Sequence, residues 1–214
     1  RWKFGIPPSA NANYAWLQHF ISKLAPGGTA GIVLANGSMS SDTNTEGQIR
    51  KALIEKDLVD CMVALPSQLF YNTQIPACLW FLARDKSNGK FRNRSGQFLF
   101  IDARGNGAMI SRRQRELTDE DIKDLGAIYH TWRSRDWEKD YKDVPGLCKN
   151  VSIEEIRKNN YILTPGRYID LREEEEDCEV YEEKMKELIE RLKVQLKVAQ
   201  LLDNQIADTL SSIG

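Results

Sequence analysis

The chain has 214 residues, 41% of them hydrophobic, and its 30 Lys and Arg nearly balance 31 Asp and Glu, which suits one ordinary core plus an appendage. Its longest apolar runs, such as 77–83, fall far short of the roughly 20 residues that a membrane helix needs. The four cysteines, Cys61, Cys78, Cys148 and Cys178, form no Cys-x-x-Cys pair and His19 and His130 no ligand cluster, so neither a membrane span nor a metal site is expected, and the cysteines read as reduced thiols.

Residues 13–24 place Ala15, Trp16, His19, Phe20, Lys23 and Leu24 at helical spacing, and Ala25-Pro26-Gly27-Gly28 stops that helix. Residues 29–35 form a short apolar run closed by Asn36-Gly37, which predicts a buried strand. A second helix is expected over 47–57, with Ile49, Ala52 and Leu53, and Leu58 after the turn, on its apolar side. Two more apolar runs, 60–66 and 77–83, predict strands. Alternating strands and helices predict a parallel α/β sheet wound by crossovers. The loop 67–76 is too short for a crossover helix, so the strands it joins are expected to pair as an antiparallel edge hairpin.

Further along, 96–103 reads as a strand. A helix is expected over 118–132, with Thr118 as N-cap, Asp121 three residues on, and Ile122, Leu125, Ile128 and Tyr129 as its apolar face. Residues 134–166 carry no long periodic run and read as turns, with a short helix over 151–158 and an extended piece at 161–163. Trp132, Trp137 and Tyr141 are expected to pack rather than to form a base-stacking platform.

From about 174 to 213, Tyr181, Met185, Leu188, Leu192, Ala199, Leu202, Ile206 and Ile213 recur at spacings of three, four or seven, predicting one long amphipathic helix. The acidic run 173–177 suits its amino terminus. Charge is distributed unevenly. Between 84 and 115, Arg84, Lys86, Lys90, Arg92, Arg94, Arg104, Arg112, Arg113 and Arg115 face only Asp85 and Asp102. The two regions are therefore expected to meet different partners.

Several phrases, taken in order, resemble the DNA methylase subunit of type I restriction-modification systems. They are Arg1-Trp2-Lys3-Phe4-Gly5-Ile6-Pro7-Pro8, Asn11-Ala12-Asn13-Tyr14-Ala15-Trp16-Leu17-Gln18-His19 and Val33-Leu34-Ala35-Asn36-Gly37, then Asp60-Cys61-Met62-Val63-Ala64-Leu65-Pro66, Leu69-Phe70-Tyr71-Asn72-Thr73-Gln74-Ile75-Pro76 and Leu163-Thr164-Pro165-Gly166-Arg167-Tyr168. The resemblance implies an adenine-N6 DNA methyltransferase that uses S-adenosylmethionine and acts on DNA with a specificity subunit and a restriction subunit; the reduced thiols suit a cytoplasmic protein. The fold it implies is α/β, the second half of a class I (Rossmann-like) methyltransferase sheet with an antiparallel edge hairpin, plus a long carboxyl-terminal helix. Residues 1–115 would be the second half of the catalytic domain, 116–170 a helical and irregular extension, and 171–214 the assembly helix.

In that family a Gly-rich turn holds the cofactor and an Asn-Pro-Pro-Phe loop bonds the target amine. Neither motif is in this sequence, and Gly27-Gly28 and Gly105-Asn106-Gly107 read as turns. Residues 1–8 resemble the stretch just after the Asn-Pro-Pro-Phe loop. The chain is therefore expected to be a carboxyl-terminal part of the subunit, with no catalytic, cofactor-binding or metal-binding residues of its own and no activity alone.

What the resemblance leaves here is part of the target-base pocket, since a base flipped from the duplex is held by aromatic stacking. Phe70 is the first candidate, Tyr71 the second, and Asn72 lies beside them. The alternative is that Phe70 anchors its hairpin in the core. Lys90, Arg92, Arg94, Arg112 and Arg113 are candidates for DNA phosphates, against an ordinary solvated face. Tyr181, Met185, Leu188, Leu192, Leu202 and Ile206 are candidates for docking the specificity subunit, against an intramolecular bundle or a homodimer through the same seam.

Overall fold

The computed structural model describes residues 2–43, 45–169, 185, 188–200 and 202. The chain divides into two units, Arg1–Arg172 and Glu173–Gly214.

The first unit is built on a five-stranded sheet. In chain order its elements are helix α1 (Asn13–Lys23), β1 (Thr29–Ala35), α2 (Glu46–Glu55), β2 (Val59–Ala64), β3 (Ala77–Ala83) and β4 (Gln97–Asp102). A two-stranded ribbon follows, β5 (Ala108–Met109) with β6 (Arg115–Glu116). Then come α3 (Asp119–Arg133), α4 (Trp137–Asp140), β7 (Cys148–Ser152) and α5 (Ile153–Lys158). The order across the main sheet is β1-β3-β2-β4-β7.

The strands joined by the 65–76 loop, β2 and β3, do pair antiparallel. They are not an edge, however. β3 also pairs antiparallel with β1, from Thr29↔Ala83 to Ala35↔Ala77, and β2 pairs in parallel with β4, from Cys61↔Leu99 to Ala64↔Asp102. β7 then closes the sheet antiparallel to β4. Among the described residues β2 and β4 form the one directly paired parallel couple, so the sheet is mixed rather than parallel. Residues 148–152, expected as turn and the start of a helix, are a strand, and the helix starts only at Ile153 with Ser152 as its cap.

β2 and β4 read as continuous apolar runs because both their faces are covered, side chains alternating from one face to the other. Met62, Phe98 and Phe100 join Tyr14, Leu17, Ile49, Leu53 and Trp80 under α1 and α2. Cys61, Val63, Leu99 and Ile101 join Trp132 and Cys148, with Leu125, Ile128 and Tyr129 of α3 packed against them. β1, by contrast, is an edge strand with Ile32 its only buried residue; the expected buried strand is half covered. The helical faces need two corrections of the same kind. α1 buries Tyr14, Leu17, Gln18 and Ile21, leaving Trp16 and Phe20 exposed, and Ile122 of α3 is exposed.

Much of the basic stretch lies inside this packing. Asp60, fully buried on β2, accepts from Arg94 (Nε–Oδ1 3.1 Å, Nη2–Oδ2 3.4 Å) and from the Tyr129 hydroxyl at 2.7 Å. Burial and the Asp60 charge hold the Tyr129 phenol protonated. Arg92 donates to the Trp132 carbonyl at 2.5 Å and to Gln97 Oε1 at 2.6 Å, with Trp137 3.8 Å from its guanidinium. Burial lowers its pKa to about 10. Lys86, also buried, donates to Asp57 at 2.6 Å and lies 4.0 Å over the Phe98 ring. Arg92 and Arg94 are thus structural cations; their expected role on DNA phosphates is withdrawn, because their guanidinium groups are buried and bound within the protein.

Removing one partner of a buried, hydrogen-bonded ion pair leaves the other charge unpaired. Arg94→Ala is expected to lower unfolding stability by about 3–5 kcal/mol, read as the midpoint of denaturant unfolding. Loss below about 1 kcal/mol, the scale of an exposed pair, would contradict the buried geometry.

Candidate functional site

The parallel direction of β2 and β4 places two connections at the same end of the sheet: residues 65–76, which follow β2, and 103–118, which follow β4. In the first, Leu65 N–H donates to Ala77 O at 2.9 Å, and Gln68 takes a left-handed backbone at φ 67°. Phe70 and Thr73 then form an isolated bridge that turns the tip. Leu69, not Phe70, is the anchor, packing on the second core cluster. Phe70 is 44% exposed and Tyr71 91% exposed, and Asn72 stands beside them in solvent. The core-anchor alternative for Phe70 therefore does not hold.

The second connection carries the β5–β6 ribbon, which periodicity could not reveal in strands of two residues. Gly107 sits at φ 82° with the carbonyl of Glu116 2.7 Å from where a Cβ would be, so only glycine fits there. Arg115 Nη1 donates to the carbonyls of Asn106 and Gly107 at 2.9 and 3.1 Å, and Asn106 Nδ2 donates to Asp121 Oδ1 at 2.8 Å. Asp121 and Thr118 form the expected capping box on α3. Hydrogen bonds from the Asn106 and Thr118 side chains hold the Asp121 carboxyl down at about 2.

The two connections are tied together. Arg115 N–H donates to the Gln68 carbonyl at 2.9 Å, and Gln114 Nε2 donates to the Leu69 carbonyl at 3.2 Å. The structure thereby brings Arg112 and Arg113, exposed at the ribbon tip, to the connection that carries Phe70, Tyr71 and Asn72. Lys90 is also exposed but lies in the 84–96 connection at the other end of the sheet, apart from this group. An open cavity of about 920 Å³ flanks the ribbon base, lined by Asp102, Arg104, Asn106, Thr118, Asp121 and Gly166 among others. Arg104 is committed there to Asp102, with Nε 2.8 Å from Oδ1.

Residues in and next to three of the remaining quoted phrases pack on the sheet. Asn36–Met39 is a 3-10 turn after β1 whose Ser38 accepts from the Tyr14 hydroxyl at its carbonyl (2.6 Å) and from Trp80 Nε1 at its hydroxyl (3.0 Å). Tyr168 stacks on Phe100 with ring centroids 4.3 Å apart.

Gly28 closes the turn after α1 by donating to Ala25 O at 2.9 Å, and Gly105, Asn106 and Gly107 are spent on the ribbon. The described residues include no cluster of metal-ligating side chains and no helix long and apolar enough to cross a membrane. In the second unit, Met185, 188–200 and Leu202 are helical, with Leu188, Leu192 and Leu202 on its surface; Tyr181 and Ile206 lie outside the described residues.

Comparison with known proteins places these features. A model of the N-6 DNA methylase family matches residues 1–177. The chain is 48% identical over all 214 residues to the methylase subunit of the type I restriction enzyme HindI of Haemophilus influenzae, spanning 46% of that protein. It is 42% identical over 212 residues to the MjaIX methylase subunit of Methanocaldococcus jannaschii, spanning 37% of it. Among solved structures, the type I restriction-modification methyltransferase subunit of Streptococcus thermophilus superposes with a TM-score of 0.65 at 32% identity, over 78% of this chain and 32% of that one. The chain spans less than half the length of these relatives, and it belongs to the N-6 DNA methylase family.

Proposed function

We propose that this chain is the target-pocket and assembly part of a type I restriction-modification methylase subunit that transfers a methyl group from S-adenosylmethionine to adenine N6 in DNA. The observation that carries this reading is the exposed Phe70–Tyr71 tip, joined through Gln68 and Leu69 to a ribbon tipped by Arg112 and Arg113. An aromatic face in solvent on a loop bonded to a basic ribbon has the chemistry to stack a flipped base while holding neighbouring phosphates.

The rest of the subunit supplies the cofactor site and the groups that bond the target amine. Two features support a sheet that continues past β1: among the described residues no strand pairs with its outer edge, and Trp16, Phe20 and Val33 are exposed on and near it. In this reading the chain alone neither binds S-adenosylmethionine nor methylates DNA, and the same open edge would favour a homodimer of it. The buried free thiols of Cys61, Cys78 and Cys148 support a reducing, cytoplasmic setting.

A second role is favoured by the helical residues 188–200 and their surface leucines. The helix docks the specificity subunit, through which the methylase joins DNA and the restriction subunit. A chain acting as an assembly module in this way needs no catalysis of its own.

In the complete subunit, Phe70→Ala is expected to slow adenine methylation about tenfold or more, the scale of one lost base–aromatic stack, while co-purification with the specificity subunit is unchanged. Methylation at the unsubstituted rate would remove Phe70 from the pocket. Calorimetry of the 214-residue chain with S-adenosylmethionine is expected to show no heat of binding; clear micromolar binding would place a cofactor site within it. Truncation at Asp177 is expected to abolish capture by the specificity subunit, and retained capture would move the docking surface elsewhere.

A further inference from the structure

Beyond the pocket loop, the β5–β6 ribbon has an unusual balance of rigid base and apolar tip. Met109 and Ile110 are 46% and 58% exposed, next to the exposed Arg112 and Arg113. No acidic residue lies between Asp102 and Glu116, so the ribbon's own turn has a net positive charge. The turn is closed by Ile110 N–H donating to Gln114 O at 2.9 Å and by Gln114 N–H donating to Ser111 Oγ at 3.1 Å. The base is held by Gly107, by the Arg115 guanidinium and by Asn106 on the α3 cap.

We infer that this ribbon is the duplex-opening wedge of the methylase: Ile110, backed by Met109, enters the base stack where the target adenine leaves, while Arg112 and Arg113 hold the flanking phosphates. The inference rests on the proposed adenine methylation and adds to it the element that stabilises the opened duplex. Three features select double-stranded DNA as the occupant. Flipping leaves a gap in the stack, and Ile and Met are among the residue types that wedge between base steps. Two exposed arginines follow the apolar pair in the same turn, which supplies the positive charge that contact with phosphates requires. The ribbon is bonded to the loop of Phe70 through Gln68 and Leu69, so wedge and base pocket are positioned as one piece.

The test uses the complete methylase assembled with its specificity subunit and two duplexes carrying its mapped recognition sequence. In one the target adenine faces thymine, and in the other it faces an abasic site, which leaves less pairing to break. Ile110→Ser is expected to slow methylation of the paired duplex about tenfold while the abasic duplex reacts within about twofold of the unsubstituted rate, because opening costs least for an unpaired base. Phe70→Ala is expected to be slow on both. The double substitution Arg112→Gln with Arg113→Gln is expected to weaken binding to both duplexes and to reduce the slope of log K against log salt by about 2, the loss of two phosphate contacts. Equal slowing of Ile110→Ser on both duplexes, or no slowing on either, overturns the wedge, and so does an unchanged salt slope. If the unsubstituted complex fails to methylate adenine at all, the underlying reading falls, and the wedge falls with it.

Discussion

Asp60 is a carboxylate with no access to water, in the strand at the middle of the sheet. An isolated charge there would cost several kcal/mol, so its surroundings must be arranged to satisfy it. Arg94 reaches in from the connection between β3 and β4, and the Tyr129 hydroxyl reaches in from α3. These bonds fold a long, highly charged connection back against the sheet and fix where α3 lies on its face. The position of α3 has further effects. Its first turn holds Asp121, which fixes Asn106, and the same loop presents Arg115 and Gln114 to the carbonyls of Gln68 and Leu69. A chain of short polar contacts thus runs from one buried carboxylate to the exposed aromatic tip. Apolar burial on both faces supplies most of the driving force; the polar chain determines which arrangement results.

The elements that could be read in the sequence were those whose signal is local. Strands β2 and β4 showed as apolar runs because they are covered on both sides, and α3 showed through Thr118, Asp121 and its spaced apolar residues. The face of α1 was harder to read. Aromatic residues occur on both sides of that helix, and the face that packs here uses Tyr14, Leu17 and Ile21 with the buried amide of Gln18 in place of Trp16 and Phe20. β7 was hidden because Lys149 and Asn150 interrupt its hydrophobicity, and a strand whose pairing spans some fifty residues leaves no periodic trace.

Charge misled for a related reason. A run of arginines in sequence suggests one basic surface, but the β4 strand passes between Arg94 and Arg104 and carries the two ends of the run to opposite ends of the sheet. Aromatic and carboxylate partners distant in sequence then draw Arg92 and Arg94 inside: Trp132, Trp137 and Asp60. The candidate site was half legible. Phe70, Tyr71 and Asn72 stood out as a phrase, whereas their association with Arg112 and Arg113 depends on hydrogen bonds to main-chain carbonyls across some forty-five residues, which no local pattern encodes.

Those bonds have a further consequence. The Gln68 link runs from main-chain N–H to main-chain carbonyl, and the Leu69 link ends on a main-chain carbonyl. Side chains at 110, 112 and 113 take no part in either. The coupling between the two loops is thus insulated from the identity of the residues at the ribbon tip. A protein built this way can exchange those residues as interchangeable parts, altering what the tip touches while the aromatic loop keeps its place.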